Sequence, residues 1–467
     1  MRNWNRRKQL HSEQLSPEHR LRPTLSWWHL VALGVGAIVG TGIYTLVGIG
    51  ANLAGPAVIL SFAVAGAVCA CAALCYAEVA AAIPASGSAY TYSYVVIGEL
   101  VAWVIGWSLI LEYSLVVSAV AVGWSGYVSG FFITLGAPLP EWLSAGPHAG
   151  GLVNLPAVLI VFAVAGLLAL GTRESATVNA VLVVVKIAAL ALFVAVALPH
   201  FDLAQFRPFM PHGFVAHDVG GVRHGVMAAA AIIFFAFYGF DAISTAAEET
   251  KNPGRDLPIG ILGSMLICTI IYVAVAVAAV GAVPYTVYAE SPEPLALILR
   301  TLSEGKVAAV IGAAAIIALP TVILAFLFGQ SRIFFVMARD GLLPARLAEV
   351  NPRTGTPIRM TMVTALLVAA LAGLVPLDEI AALANAGTLA AFVAVAVCML
   401  RMRRRDLGLQ RPFSVPLPWL VGPLAISGCL YLFWSLPDQT RLFFLLWNVL
   451  GLGVYLWIGR RPAAEAA

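Results

Sequence analysis

Three ionisable side chains fall inside long apolar stretches of this sequence. Lys186 lies among valines and alanines, Glu112 lies within residues 109–114, and Asp241 closely follows Gly239. A charged group in a hydrocarbon environment is costly unless protein groups or water surround it. We therefore expect these side chains to face a helical interior or a water-filled cavity, where they can bind ions or exchange protons.

Lys186 lies about ten residues into an apolar run that starts near Ala176. That separation corresponds to about 15 Å of helix. A lysine stem reaches roughly 6 Å, which is too short to bring the ammonium group to water. Its protonation could therefore respond to the side on which a cavity opens, which would make it a proton-coupling group. The alternative is a static lysine bonded to carbonyls of the first or eighth apolar span.

Glu112 and Asp241 are open to three interpretations. Either carboxyl group could carry protons, attract a cationic side chain, or be a structural acid with satisfied hydrogen bonds. Thr245 follows Asp241 by four residues on the same helical face and could donate a hydrogen bond to it. The sequence does not decide among these roles.

The first apolar run contains an unusual density of glycine near its centre. Its glycines are Gly34, Gly36, Gly40 and Gly42. Each glycine costs roughly 1 kcal/mol of helix stability relative to alanine. Close helix packing would explain Gly36 and Gly40, which are four residues apart. A local break that exposes backbone N–H groups explains all four, and such groups can bind an anion.

A second interruption is predicted near Gly239, beside the acidic Asp241. Gly40 and Gly239 are separated by five apolar spans, and an odd number of spans inverts a repeated unit. Interrupted helices in matching positions are typical of inverted-repeat transporters with a site at the membrane midplane. A channel would more often carry a repeated filter or a charged ring, so two unlike interruptions favour alternating access.

These residues must be positioned by membrane-spanning helices. The chain of 467 residues is 61% hydrophobic and 11% charged, whereas soluble domains carry roughly 25% charged residues. Apolar runs of about 20 residues fit helices that cross the bilayer. The sequence predicts an all-α integral membrane protein with twelve spans, at about 27–49, 56–82, 96–130, 153–171, 176–198, 225–249, 257–282, 305–334, 359–375, 380–400, 413–436 and 440–459.

The distribution of basic residues predicts the topology. With a cytoplasmic N-terminal segment at 1–26, most Lys and Arg residues fall in inner connections, as the positive-inside rule requires. Both termini are then cytoplasmic, with a short tail at 460–467. The repeats would span 27–198 and 225–400, followed by two further helices at 413–459. Glu78, Glu248 and Glu249 fall near inner helix ends, where solvated charges are favoured over gating salt bridges.

Other functional classes find little support. The net charge of +4 is explained by topology and does not indicate nucleic-acid binding. The six cysteines lack metal-site spacing, so neither a metal nor a cofactor is expected. Residues 123–126 read Gly-Trp-Ser-Gly, as in some intramembrane proteases. Such a serine needs a histidine from a later helix as base, but no histidine lies deep in a predicted span and none follows His224, so an enzyme is not expected. An amino acid sensor remains an alternative.

Several motifs resemble the amino acid–polyamine–organocation superfamily, and within it the cationic amino acid transporter family and its bacterial permeases. The matching segments are 34–44, 75–78, 84–92, 239–242, 248–253, 255–258, 329–332 and 337–344. The resemblance covers nearly the whole chain. It implies the leucine-transporter fold, in which two five-helix repeats are inverted and the first and sixth helices are broken. It also implies a multi-pass permease of the plasma (inner) membrane.

The resemblance implies a substrate site at the two breaks. The substrate carboxylate would be held at Ile38, Gly40, Thr41 and Gly42, with the Thr41 hydroxyl as a further donor. The substrate ammonium would be held by carbonyls near Phe235, Ala236 and Tyr238. Phe235 and Phe240 would close the site as aromatic gates, or would simply pack against neighbouring helices. Lys186 stands where sodium-coupled relatives bind their ion.

The expected partners are an amino acid, protons and the lipid bilayer. Broad neutral substrates are favoured over arginine and lysine, because the eighth span around Thr321 carries no acidic residue. The small Thr321 and its apolar neighbours suggest a pocket for a neutral side chain. The alternative is a carrier of cationic amino acids. Exchange instead of net uptake, and a small membrane-protein subunit, remain open.

Overall fold

The computed structural model describes residues 6–8, 23–134, 136–147, 150–170, 172–219, 222–289, 291, 293–351, 354, 356–375, 377–405 and 410–458. Most of them are helical. The helices are α1 (Trp27–Ile38), α2 (Thr41–Tyr44), α3 (Leu46–Ala54), α4 (Val58–Ala82), α5 (Ser88–Val96), α6 (Glu99–Thr134), α7 (Glu141–Ser144), α8 (Leu155–Leu170), α9 (Thr172–Ala197), α10 (Val226–Ile233), α11 (Phe240–Thr245), α12 (Pro253–Ala282), α13 (Tyr285–Tyr288), α14 (Pro294–Thr301), α15 (Gly305–Ala318), α16 (Pro320–Arg339), α17 (Ile358–Leu374), α18 (Leu377–Arg404), α19 (Pro418–Ser435) and α20 (Asp438–Ile458).

The long helices are those of a membrane protein. Within the described ranges, nine helical segments are long and apolar enough to cross a bilayer, and three of them join two consecutive helices, α3 with α4, α10 with α11 and α15 with α16. Three shorter apolar helices, α1, α8 and α17, accompany them. Many side chains on the outer helices α19 and α20 are large, apolar and exposed, including Leu430, Trp434 and Leu446. Contact with lipid accounts for such a surface, because an exposed apolar area of this extent is rare on proteins surrounded by water.

The first two predicted spans meet at Gly55 and Pro56 instead of near residue 50. The helical path that starts at Trp27 continues to Ala54, and a 3₁₀ turn at Gly55–Ala57 leads into α4. Gly55 has a φ of 65°, which favours glycine, and Pro56 cannot donate a backbone hydrogen bond. The chain therefore turns at this pair.

The connection before α10 departs from the all-α prediction. Strand β1 (His217–Val219) pairs antiparallel with β2 (Val222–His224), with His217 opposite His224. This connection is rich in proline, glycine and exposed side chains. It lacks the apolar period of a helix, so a short hairpin satisfies part of its backbone.

One end of the bundle, here called the Arg-rich end, holds the starts of α1 and α12 and the ends of α4, α16 and α18. Leu25 bridges Thr250 there. Three ion pairs lie at this end, Glu78–Arg403 at 2.6 Å, Glu248–Arg339 at 2.9 Å and Glu249–Arg332 at 3.3 Å. The preference for solvated charges at these glutamates is therefore wrong, because tertiary packing brings an arginine to each one.

The Arg332–Glu249 pair gives a stability prediction. Both side chains are at most 2% exposed. Arg332→Ala would leave the Glu249 carboxylate buried without its partner, which typically costs about 3–5 kcal/mol. We expect a clear drop in the apparent unfolding temperature of the detergent-solubilised protein, measured by intrinsic fluorescence. Arg359→Ala is the control, because the Arg359–Glu349 pair is 66% and 54% exposed and should contribute at most about 1 kcal/mol. Equal midpoints for the two variants would contradict the prediction.

Candidate functional site

The first apolar helix is interrupted at Gly40. Helix α1 ends at Ile38, and Val39 has an extended ψ of 97°. Helix α2 begins at Thr41, and a further irregularity at Thr45 precedes α3. The regular hydrogen-bond ladder of an α-helix therefore stops at mid-segment, as the sequence predicted.

A second interruption lies at Gly239. Helix α10 ends at Ile233, a 3₁₀ turn follows at Phe234–Ala236, and α11 begins at Phe240. Gly239 has a φ of 122°, which side chains rarely allow. Residues 237–239 thus lie outside any helix and form the second break.

The two breaks touch each other through backbone atoms. A Cβ atom added at Gly42 would lie 2.3 Å from the Cα of Ala236. A Cβ atom added at Gly239 would lie 2.9 Å from the carbonyl carbon of Ala37. Both values are far below a van der Waals contact, so only glycine permits this approach. The backbone polar groups of the two interrupted helices are thereby brought together.

Gly34 and Gly36 are not part of the break, although a single break was expected to explain the whole glycine run. Both lie in regular helix α1. A Cβ atom at Gly34 would meet Ser264 of α12 at 2.5 Å, and one at Gly36 would meet Asn179 of α9 at 2.6 Å. Close packing therefore explains these two positions. Gly40 lies at the interruption, and a Cβ atom there would also meet the Val322 side chain at 2.8 Å.

Lys186 of α9 is fully buried, and its ammonium group lies at the C-terminal end of α1. Its Nζ atom donates to the carbonyl oxygens of Gly36 at 3.0 Å and Val39 at 2.5 Å, and to Thr321 Oγ1 at 2.5 Å. The C-terminal end of a helix carries partial negative charge, so an ammonium group is stabilised there. The backbone carbonyl of Lys186 also accepts a hydrogen bond from the Tyr44 hydroxyl of α2, at 3.3 Å. One residue of α9 therefore contacts both sides of the first break.

Thr321, which the sequence places in a neutral side-chain pocket, is engaged in the lysine site. Its hydroxyl contacts Lys186 and also lies 2.8 Å from the Ala318 carbonyl and 3.2 Å from the Gly36 carbonyl. A hydroxyl group both donates and accepts, so it can bridge an ammonium group and a carbonyl. Thr321 belongs to the lysine site.

Two further side chains donate to carbonyls of α1, and sequence reasoning missed both. The Tyr272 hydroxyl of α12 donates to the Ile38 carbonyl at 2.6 Å. The Asn179 side chain of α9 donates to the Ala32 carbonyl, in the middle of α1, at 3.1 Å. The Ile38 carbonyl needs such a partner because carbonyls at a helix end have none within the helix. A single tyrosine or asparagine within an apolar helix carries no local signal of this role.

Asp241 has a partner on each carboxylate oxygen. The Tyr113 hydroxyl of α6 donates to Oδ2 at 2.6 Å, and the backbone N–H of Gly239 donates to Oδ1 at 3.0 Å. The carboxylate therefore fixes the backbone of the second break. The expected hydrogen bond from Thr245 is absent, because its hydroxyl donates to the Ala242 carbonyl at 2.6 Å. Threonine in a helix commonly bonds a carbonyl of the preceding turn.

Glu112 contrasts with Asp241. It is fully buried, and neither of its carboxylate oxygens has a hydrogen-bond partner in the described part of the chain. The hydroxyl of the neighbouring Thr388 donates to the Ala384 carbonyl at 3.3 Å and not to Glu112. Glu112 lies near enough to Asp241 to interact electrostatically with it. A buried carboxyl group without a partner is costly unless it holds a proton or meets a ligand.

Aromatic rings surround the second break. Phe240 is fully buried, and its ring packs against Tyr76 at 5.6 Å and Phe392 at 5.0 Å between centroids. The Tyr238 ring packs against Phe235 at 5.1 Å and Phe326 at 6.0 Å. The Tyr238 hydroxyl has no partner among the described residues. These rings supply an apolar wall with a few polar groups.

Two further positions that the sequence singled out are Thr41 and Ser125. The Thr41 side chain lies outside the described part of the structure, so its predicted hydroxyl contact stays a prediction. The Ser125 hydroxyl of the Gly-Trp-Ser-Gly segment donates to Asn154 Oδ1 at 2.6 Å. This serine joins α6 to the start of α8, which is a packing role.

The chain belongs to the amino acid permease family. The family model described as "Amino acid permease" matches residues 25–454. That range contains both interrupted helices, Lys186, Glu112 and Asp241. The family resemblance inferred from the motifs is thereby confirmed.

Several relatives match over about two thirds or more of their length. The chain is 46% identical to the branched-chain amino acid permease BcaP of Bacillus subtilis (strain 168), covering 96% of this chain and 95% of that protein. It is 40% identical to the methylthioribose transporter of the same organism, over 96% of this chain and 95% of that protein. It is 39% identical to the vacuolar cationic amino acid transporter 4 of Arabidopsis thaliana, over 85% of this chain and 66% of that protein. All three are named as transporters, which points away from an enzyme.

Proposed function

We propose that this amino acid permease is a secondary active transporter that moves amino acids by alternating access and couples their uptake to protons. The observation that carries the proposal is the contact between the two helix breaks at Gly42–Ala236 and Gly239–Ala37. Irregular backbone at membrane depth is tolerated where it is buried in protein or lines a cavity. Two such segments in contact provide both donors and acceptors for a zwitterion.

The substrate would lie between the breaks. Backbone N–H groups at Gly40, Thr41 and Gly42, beside Ile38, would hold its carboxylate. Carbonyl oxygens at Phe235, Ala236 and Tyr238 would hold its ammonium group, and Phe235 and Phe240 would exclude water. Glycine at positions 40 and 42 supports this arrangement, because a side chain would block the approach of the backbone to the ligand.

The proposed architecture has twelve spans, with an inverted repeat of 27–198 and 225–400 followed by two helices. The matching breaks at Gly40 and Gly239, five spans apart, support this repeat. The Arg-rich end would face the cytoplasm, in agreement with the positive-inside rule. Bacterial relatives support a place in the plasma membrane.

Lys186 is the proposed coupling group. It donates to the carbonyls of Gly36 and Val39 beside the first break and to the Thr321 hydroxyl, so loss of its proton would weaken three contacts at once. Glu112 and Asp241 would form a second protonatable pair, because they interact electrostatically beside the second break. Glu112 is the better candidate of the two to exchange a proton, since its oxygens lack partners in the described structure.

Neutral substrates, including branched-chain amino acids, are favoured. Phe235, Tyr238 and Phe326 give the site an aromatic wall, and a relative with 46% identity is named a branched-chain amino acid permease. The second candidate is a cationic amino acid, because the buried Glu112 carboxyl could pair with a basic side chain, and one relative is named a cationic amino acid transporter.

Uptake into liposomes that contain the purified protein tests the function. We expect leucine and alanine to accumulate when an inward proton gradient is imposed, and arginine and lysine to be taken up poorly. Removal of the gradient should abolish accumulation, while exchange of labelled for unlabelled leucine continues. Protein-free liposomes are the control. Failure of all four amino acids to enter or exchange would contradict carrier function.

The same assay separates the two substrate classes. Glu112→Gln retains the shape of the side chain and removes its charge. If the substrate is cationic, this variant should selectively lose arginine and lysine uptake. If the substrate is neutral, uptake of all four amino acids should change together.

A further inference from the structure

A cavity of about 830 Å³ opens at the Arg-rich end, beside the start of α12. Its wall includes two basic residues and several apolar ones. Among the lining residues are Lys251, Arg255, Ile259, Leu262, Pro412 and Phe413. It lies at the end of the bundle, whereas the two helix breaks lie at mid-helix, so the substrate site does not account for it.

The two basic residues of this cavity lack acidic partners in the part of the chain that the structure describes. Lys251 and Arg255 are both exposed, and neither has an ion-pair partner among the described residues. This contrasts with Arg332, Arg339 and Arg403 at the same end, each of which pairs with a glutamate. Two neighbouring unpaired cations in a concave site create a positive potential that attracts an anion.

The position of the cavity matches the head-group layer of a membrane. Trp27 and Trp28, at the start of α1, are 48% and 49% exposed. Trp419 at the start of α19 is 53% exposed, and the guanidinium group of Arg404 lies over its ring at 5.2 Å. Exposed tryptophans collect at membrane–water interfaces. The start of α12 packs beside α1, so Lys251 and Arg255 lie near the same level.

An apolar stripe leads from the cavity along α12. Ile259 and Leu262 line the cavity, and Leu266 and Ile270 continue the same helical face at spacings of three and four residues. Leu266 is 63% exposed and Ile270 is 62% exposed. A ligand with an anionic head and a long apolar chain would therefore contact both parts of this surface.

We propose that this cavity binds an anionic phospholipid of the adjacent leaflet, with the phosphate group between Lys251 and Arg255 and an acyl chain along Leu262, Leu266 and Ile270. Basic pockets between membrane helices are suited to anionic head groups. A free phosphate ion would use the two cations but would leave the apolar stripe without a role. The combined surface therefore specifies a lipid.

Native mass spectrometry of the purified protein in detergent tests the site. The probes are phosphatidylglycerol and phosphatidylcholine with the same acyl chains, each titrated separately. We expect the wild-type protein to bind phosphatidylglycerol more tightly than phosphatidylcholine. The double variant Lys251→Ala/Arg255→Ala should lose about tenfold or more of its phosphatidylglycerol affinity.

Two controls define the result. Lys306→Ala removes one positive charge at the opposite end, near the start of α15, and should retain wild-type lipid binding. Leu266→Asn keeps both cations and should weaken phosphatidylglycerol binding without strengthening phosphatidylcholine binding.

If the double variant does not fold, the single variants Lys251→Gln and Arg255→Gln should each give part of the loss. Equal binding of the two lipids by wild type, unchanged binding by the double variant, or displacement of the lipid by millimolar inorganic phosphate would overturn the proposal.

Discussion

Replacement of Lys186 by alanine is expected to eliminate proton-driven accumulation of substrate in liposomes. The ammonium group donates to carbonyls of Gly36 and Val39 and to Thr321. Its removal takes away the protonatable group and leaves buried acceptors without a donor, at a cost of about 1–3 kcal/mol for each acceptor. We expect uptake by Lys186→Ala to be the same with and without an inward proton gradient. Exchange of labelled for unlabelled substrate should continue, because exchange requires no net proton movement.

Asn179→Ala is the matched control for this experiment. Asn179 lies on the same helix, is buried, and donates to the Ala32 carbonyl of α1 at 3.1 Å. It contributes a neutral hydrogen bond between α9 and α1 and carries no titratable proton. The control variant should retain gradient dependence even if its stability falls. Gradient-driven accumulation by Lys186→Ala would refute the coupling role. Loss of both accumulation and exchange, in a folded Lys186→Ala protein, would instead support a static structural lysine.

A single methyl group at Gly42 is expected to stop transport. The new Cβ atom of Gly42→Ala would lie 2.3 Å from the Cα of Ala236, and because this Cα is a backbone atom, no side-chain rotation relieves the contact. Overpacking typically costs about 1–3 kcal/mol or more, and here it would push the two breaks apart. We expect the initial rate of substrate uptake to fall about tenfold or more, since each 1.4 kcal/mol corresponds to a factor of ten.

Gly166→Ala provides the matched control for Gly42→Ala. Both are glycine-to-alanine changes in apolar helices, but a Cβ atom at Gly166 would have no heavy atom within 4 Å. This control should transport at the wild-type rate. Gly239→Ala should behave like Gly42→Ala, because it combines a 2.9 Å contact with a φ of 122°. Wild-type uptake by Gly42→Ala would show that the contact between the breaks is not needed for transport.

The sequence predicted the positions of the breaks because glycine has a local signature. Gly40 and Gly239 interrupt apolar runs, and Gly239 has a φ of 122°, which side chains rarely allow. Lys186 was also predictable as a buried group that needs carbonyls, because its depth in an apolar run excludes water. These predictions rest on residue type and position along one helix, which a single sequence records.

The remaining contacts depend on which helices become neighbours. Tyr113 holds Asp241 across 128 sequence positions, and Tyr272 reaches Ile38 across 234. Thr321 was assigned to a substrate pocket because it is small and lies among apolar residues, whereas the fold places it against Lys186. Similarly, the position of Glu78 near a helix end predicts a solvated charge, whereas the fold places Arg403 beside it. No periodicity within one segment encodes such pairs.

The two attachments of Lys186 have a mechanical consequence. Its ammonium group contacts α1, and its backbone carbonyl contacts the hydroxyl of Tyr44 in α2. The segment before the break is attached to α9 through this charge and through the Asn179 hydrogen bond, and the helix after it through a neutral bond. An event that neutralises the charge would weaken the first attachment while the second stayed in place. The break would then act as a hinge with one fixed arm, and a proton could change the angle between the two halves without direct contact with the substrate.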